Sequence, residues 1–64
     1  MIRRSNIYAE NAQKAVAKLK KQYFDFIVYV ENIRENGGIM IDFKQYKDFI
    51  IEYNLIDDTT GEVL

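Results

Sequence analysis

Apolar residues recur at alternating steps of three and four over the first half of the chain. They are Ala9, Ala12, Val16, Leu19, Tyr23, Phe26, Val30 and Ile33. This spacing keeps one side of an α-helix apolar across more than three heptads. Ser5 or Asn6 can cap the start of such a helix, and Gly37 and Gly38 can end it. The pattern therefore predicts a helix over about residues 6–36.

The middle of this segment also suits a strand. Between residues 23 and 30 apolar and other positions alternate, and the β-branched and aromatic side chains found there favour strands. In this alternative the helix stops near Gln22, residues 23–35 form a strand, and Asn36-Gly37-Gly38 turns the chain into a second strand from Ile39 to Phe43. We favour the helix because the three–four spacing crosses the segment without losing register.

A second helix is predicted over about residues 43–55. Asp42 and Gln45 have the spacing of a capping box. Apolar residues follow again at steps of three, four and three, at Phe43, Tyr46, Ile50 and Tyr53. Residues 57–64 contain Asp-Asp-Thr-Thr-Gly and read as a turn followed by a short tail that either folds back or frays.

Together these elements predict an all-α fold, a helical hairpin in a single small domain spanning residues 1–64. The alternative is an α+β fold with one N-terminal helix and a small antiparallel sheet from residues 23–64. In the all-α fold the second helix is too short to cover the first, so part of the apolar stripe needs another chain. We therefore expect a homodimer, in the form of a dimeric bundle, with self-association through Ala9, Ala12, Val16 and Leu19.

Composition removes most catalytic chemistry. The 64 residues contain no His and no Cys, which excludes Ser-His and Cys-His nucleophile pairs, disulfides and thiolate metal sites. We therefore expect no enzyme activity, no cofactor and no metal. The longest apolar run, Phe26–Val30, is far too short for a membrane span, and no apolar stretch follows Arg3 and Arg4 as a secretory signal requires. A cytoplasmic protein is the default expectation.

Charge is unevenly distributed along the chain. Six of the nine cationic side chains but one of the ten carboxylates lie in residues 1–21. Our main functional hypothesis is a small non-catalytic protein-binding regulator or stoichiometric inhibitor, of the kind found in phages or mobile elements. It would bind an unidentified protein through an acidic surface that also contains aromatic residues. The partner-binding candidates are Asp48, Glu52, Asp57 and Asp58.

The alternative hypothesis is a nucleic-acid-associated accessory protein. Its binding residues would be Arg3, Arg4, Lys14, Lys18 and Lys21, because three of these lysines share one face of the predicted helix. A solvated helix face explains the same lysines without any ligand.

Overall fold

The computed structural model describes residues 2–64, which form a three-stranded antiparallel sheet with one helix on one face. In chain order the elements are strand β1 (Arg3–Ala9), helix α1 (Ala12–Gln22), strand β2 (Phe26–Ile41) and strand β3 (Lys44–Asp57). The strand order in the sheet is β1-β3-β2. The last strand in the chain is therefore the central one, and both long strands belong to a single hairpin.

The predicted all-α helical hairpin is wrong, and so is the helix over residues 6–36. Of that segment only Ala12–Gln22 is helical, and Phe26–Ile41 is a strand. The three–four spacing imitates a helix because β2 contains a bulge between Val30 and Asn32. In a regular strand, residues three positions apart point to opposite faces. The extra residue of the bulge corrects this, so that Val30 pairs with Tyr53 and Ile33 pairs with Ile51, both on the buried face.

The predicted helix over residues 43–55 is also wrong. Asp42 lies in the β2–β3 turn rather than at a helix N-terminus, so the predicted capping box does not form. In β3, every second residue is buried against the helix: Phe49, Ile51, Tyr53 and Leu55. The burial of these residues therefore follows the two-residue period of a strand and not the three–four spacing of a helix.

The α+β alternative fits better than the all-α fold but differs in two details. It places the hairpin turn at residues 36–38, whereas the chain turns at Asp42 and Phe43, and residues 36–37 fall in a second bulge. It also omits β1, because Ser5 and Asn6 resemble a helix cap. In the structure the Ser5 hydroxyl instead lies 2.8 Å from the Tyr53 hydroxyl.

Helix α1 begins at a cap of its own. The Asn11 side chain accepts a hydrogen bond from the backbone N–H of Lys14 at 2.8 Å, which satisfies one of the free donors of the first turn. At the other end the Tyr23 N–H donates to the Leu19 carbonyl at 3.3 Å. Ala15 and Leu19 are fully buried against the sheet.

The core lies between α1 and the facing side of the sheet. It combines the helix residues with buried side chains of β1 and β3: Ile7, Ala9, Phe49, Ile51, Tyr53 and Leu55. Phe26 and Val30, two residues of the apolar stripe, are partly buried and pack against this core. Within the core the Tyr53 hydroxyl donates to the Tyr23 hydroxyl at 3.3 Å and accepts from Ser5, so the buried phenol is satisfied.

The C-terminal tail folds back along β3. Ile56 and Val63 form an antiparallel bridge, and the Leu64 N–H donates to the Leu55 carbonyl at 2.8 Å. The turn before it is fixed by Asp57, whose carboxylate accepts from the N–H groups of Thr59 and Thr60. The tail therefore occupies the same edge of β3 as β1.

The molecule is elongated, measuring 44 × 18 × 13 Å. Its long axis is explained by the β2–β3 hairpin, since 14 residues of extended chain span roughly 46 Å. Strand β1 pairs with β3 only from Tyr53 to Lys47. Beyond that point residues 38–46 form a two-stranded ribbon with no third strand, and we call this ribbon the β-arm. Within residues 2–64, no helix has the length and apolar character needed to cross a bilayer.

Candidate functional site

A groove with both cationic and aromatic walls lies at the C-terminal end of α1. Its volume is about 470 Å³, and it is lined by Lys20, Lys21, Phe24, Phe26, Ile27 and Val28. We call this the basic groove. The short loop after α1 is closed by a hydrogen bond from the Phe26 N–H to the Tyr23 carbonyl at 3.0 Å. That turn leaves Phe24 82% exposed, an unusual position for a phenylalanine.

Lys20 and Lys21 differ from the other helix lysines in having no local partner. Neither forms an ion pair or a side-chain hydrogen bond within the described part of the chain. Both occupy the last turn of α1, where cations are favoured by the helix dipole. Their ammonium groups are therefore free to meet an anion.

Lys14 and Lys18, predicted to share the basic face with Lys21, are already engaged. Lys14 pairs with Glu10 at 2.9 Å, and this hydrogen-bonded ammonium lowers the pKa of the exposed Glu10 carboxyl from its ordinary value. Lys18 donates to the Tyr8 carbonyl at 2.7 Å and lies 5.7 Å from the centre of the Tyr46 ring. Lys14 therefore pairs within the segment that begins the helix and Lys18 links the helix to β1, rather than completing a continuous basic stripe.

The two predicted arginines lie on opposite faces of β1. Arg4 is paired in register with Glu52 and its guanidinium lies 3.9 Å from that carboxylate, on the face away from the helix. Arg3 is paired with Tyr53, on the helix side. It lies near enough to Tyr23, at the end of α1, to oppose the rise in the pKa of that phenol. Of the two, Arg3 is the one on the side of the basic groove.

The predicted acidic residues do not gather into one patch. Asp48 and Glu52 share the helix-free face of β3, where Asn6 approaches Asp48 at 3.4 Å and Asn32 approaches Glu52 at the same distance. Asp57 alternates to the other face and uses its carboxylate in the tail turn. Asp58 is exposed in that turn.

The four residues expected to mediate self-association lie mostly inside the single chain. Ala9 and Leu19 are buried in the core, and Val16 is packed against it. Ala12, in the first turn of α1, is exposed. The sheet covers the stripe that the all-α prediction left bare.

Sequence reasoning assigned no role to Phe24 and left Lys20 out of the predicted binding set. In the sequence, Phe24 is one apolar position of the alternating run over residues 23–30. Because α1 ends at Gln22, the structure places Phe24 in a loop instead. The available signal was the sequence Lys20-Lys21-Gln22-Tyr23-Phe24, in which cations and aromatics are adjacent.

Within residues 2–64 no group of three or more carboxylates is arranged to hold a metal ion. Comparison with known protein families, characterised proteins and solved structures finds no significant match. Function is therefore argued from the surfaces of this chain alone.

Proposed function

We propose that this chain is a nucleic-acid-associated accessory protein that binds single-stranded nucleic acid weakly at the basic groove. The observation that carries the proposal is the unpartnered Lys20–Lys21 pair beside the 82% exposed ring of Phe24. Proteins that bind single strands combine cations for the backbone with aromatic rings on which bases stack. A base stacked on an exposed ring contributes about 1–3 kcal/mol, and every base offers a face for it.

The size of the site limits the affinity. Lys20 and Lys21 supply two cations; Arg3 shares the helix side of the sheet but lies on β1, across β3 from the β2 residues that line the groove. Asp25, which follows Phe24, and a formal net charge of −1 for the whole chain work against binding. We therefore expect a short site of a few nucleotides and a dissociation constant in the high micromolar range at low salt.

The test is fluorescence anisotropy with a labelled 12-nucleotide single strand at several salt concentrations. With two phosphates neutralised, log K should fall with log salt at a slope of about −1.4. The double variant Lys20→Glu, Lys21→Glu should abolish binding, and Phe24→Ala should weaken it at least fivefold while the salt slope stays the same.

Lys44→Glu is the matched control, because Lys44 is also exposed but lies in the β-arm. It should change binding less than twofold. Absence of binding at 50 mM salt with 500 µM protein, or equal losses for Lys44→Glu and the double variant, would contradict the proposal.

The protein-binding regulator remains a second candidate, supported by the helix-free face of the sheet. That face carries Asp48 and Glu52 beside two exposed aromatic rings, Tyr8 and Tyr29. Tyrosine among carboxylates suits a basic cleft on a protein. Reversal of Asp48 and Glu52 to Lys should weaken capture of such a partner, and reversal of Lys20 and Lys21 should not.

A further inference from the structure

The β-arm exposes more apolar surface than any other part of the chain of similar length. Four of its nine residues are exposed large apolar side chains: Ile39, Met40, Ile41 and Phe43. Phe43 is 98% exposed at the tip. Because side chains alternate along a strand, Ile39 and Ile41 lie on one face of the arm and Met40 on the other, so both faces and the tip are apolar.

The backbone at the tip makes the exposed phenylalanine more unusual. Asp42 and Phe43 have φ values of +49° and +65°, the left-handed conformation of a two-residue hairpin turn. Asn-Gly satisfies this turn without strain, whereas a phenylalanine costs about 1–2 kcal/mol. Within the monomer nothing compensates that cost, because the ring contacts solvent.

The ribbon is also incomplete as a sheet. Strand β2 is an edge strand, so its outer N–H and C=O groups are unpaired by any strand in residues 2–64. Along its centre, two bulges and three charged side chains oppose pairing of this edge with another strand: Glu31, Arg34 and Glu35. The Gly38–Ile41 segment has neither, and a two-stranded ribbon alone is marginally stable in water.

We propose that the β-arm is a self-association element, which pairs edge to edge with the β-arm of a second copy of this chain. The arm carries one carboxylate, Asp42, and one ammonium, Lys44, so its charge is balanced. A balanced charge allows two copies to approach without repulsion and gives no attraction to a polyanion or an anionic lipid surface. A twofold axis places identical edges in antiparallel register and turns two ribbons into one four-stranded sheet.

The available area sets the strength of the dimer. Each partner of a standard interface buries about 800 Å², more than a nine-residue arm with apolar side chains on opposite faces offers to one partner. Pairing stops at Gly38, because the bulges and charged side chains of the remaining β2 edge oppose it, so the rest of the edge adds no further area. The dimer is therefore weak, with a dissociation constant on the order of 100 µM.

The experiment is sedimentation velocity of the full chain from 5 µM to 1 mM, with ¹⁵N chemical shifts followed over the same range. The expected result is a monomer of 7.6 kDa at the lowest concentration and a saturable shift to twice that mass. Concentration-dependent shifts should be confined to residues 38–46.

Two variants on the arm, and one matched control, locate the contact. Met40→Lys places a charge on the unguarded edge, and Phe43→Asn removes the tip ring while keeping a residue that tolerates positive φ. Each should raise the dissociation constant at least tenfold without changing the circular dichroism spectrum. Phe24→Asn, at the other highly exposed phenylalanine, should leave it within twofold.

Three results would overturn the proposal. They are a monomer at 1 mM, an open-ended series of larger species instead of a dimer, and a dimer that Phe24→Asn disrupts and the arm variants do not. None of these depends on whether the basic groove binds nucleic acid.

Discussion

At the scale of single residues, the least expected feature is a hydrogen bond between the hydroxyl groups of two tyrosines at the core, Tyr23 and Tyr53. The rings of Tyr23 and Tyr53 lie 5.9 Å apart at 47°, and their hydroxyl groups are hydrogen bonded. Tyr53 is almost fully buried, so its hydroxyl requires this partner and Ser5. The contact joins β1, the end of α1 and the central strand at one point.

The tyrosine pair gives stability a dependence on alkaline pH. The hydrogen bond with Tyr53, the electrostatic effect of that neighbouring phenol, and burial all raise the pKa of Tyr23 above its ordinary value of about 10. Because the folded-state pKa is raised, the associated stability is fully present below about pH 10 and is lost as pH rises through the folded-state value.

Tyr23→Phe should therefore do two things. It should lower the free energy of unfolding at pH 7 by about 0.5–1.5 kcal/mol, since Tyr53 loses its acceptor. It should also reduce the further loss between pH 9 and 11.5, measured by thermal melts. Tyr29→Phe, at an exposed tyrosine, is the control, and a variant profile parallel to the parent's at high pH would contradict this assignment.

At the scale of elements, the β2–β3 turn is the clearest case of a local sequence that disagrees with its conformation. Phe43→Gly should relieve the left-handed strain and raise the melting temperature by several degrees at 5 µM protein, where any dimer is dissociated. Gly37→Ala, at the other end of the arm, should act in the opposite direction, because Gly37 has φ +106°. A lower melting temperature for Phe43→Gly would show that the ring stabilises the monomer.

The same scale explains what sequence reasoning could recover. The helical character of Ala12–Gln22 followed from its good helix formers, and the end near Gln22 was foreseen in the α+β alternative. The favoured helix ran on through β2, which the α+β alternative assigns to a strand, because a bulge at Glu31 converts a strand pattern into a helical one. Nothing local in the sequence marks that bulge, since it is defined by pairing with a strand about 20 residues away.

The candidate site was recoverable only in part for a related reason. Lys21 was in the predicted basic set, but Lys14 and Lys18 form contacts with Glu10 and Tyr8 that a helix diagram does not show. Phe24 becomes a surface residue only when the helix stops before it. Its exposure depends on where the elements end, which is the least certain part of any prediction from sequence.

At the scale of the whole molecule, the chain is extended for its length. The Cα radius of gyration is 12.8 Å, whereas a compact 64-residue domain has about 11 Å. The buried core is confined to the half of the hairpin covered by α1 and β1. The buried core and the unpaired edge of the sheet therefore lie at opposite ends of the long axis. The basic groove is at the covered end, and the β-arm is at the other.

The position of the tail has a topological consequence. Arg3 is paired with Tyr53, and the Leu64 N–H bonds to Leu55, so Arg3 and Leu64 meet β3 two residues apart, about 7 Å. Ile2 has the length to bridge that gap opposite Asn54. Joining Leu64 directly to Ile2 would therefore fuse the tail and β1 into one continuous strand.

A circular permutant with this junction, opened between Asp42 and Phe43, should fold. The new ends replace the strained turn, and the fused strand links the tail to β1 without a loop. Its circular dichroism spectrum should match the parent's, and its melting temperature should lie within about 5 °C, since little enthalpy or area is lost. A permutant opened inside β3, between Ile51 and Glu52, is the control and should not fold. Folding of the permutant would show that the fold does not depend on the order in which the chain connects its strands and helix.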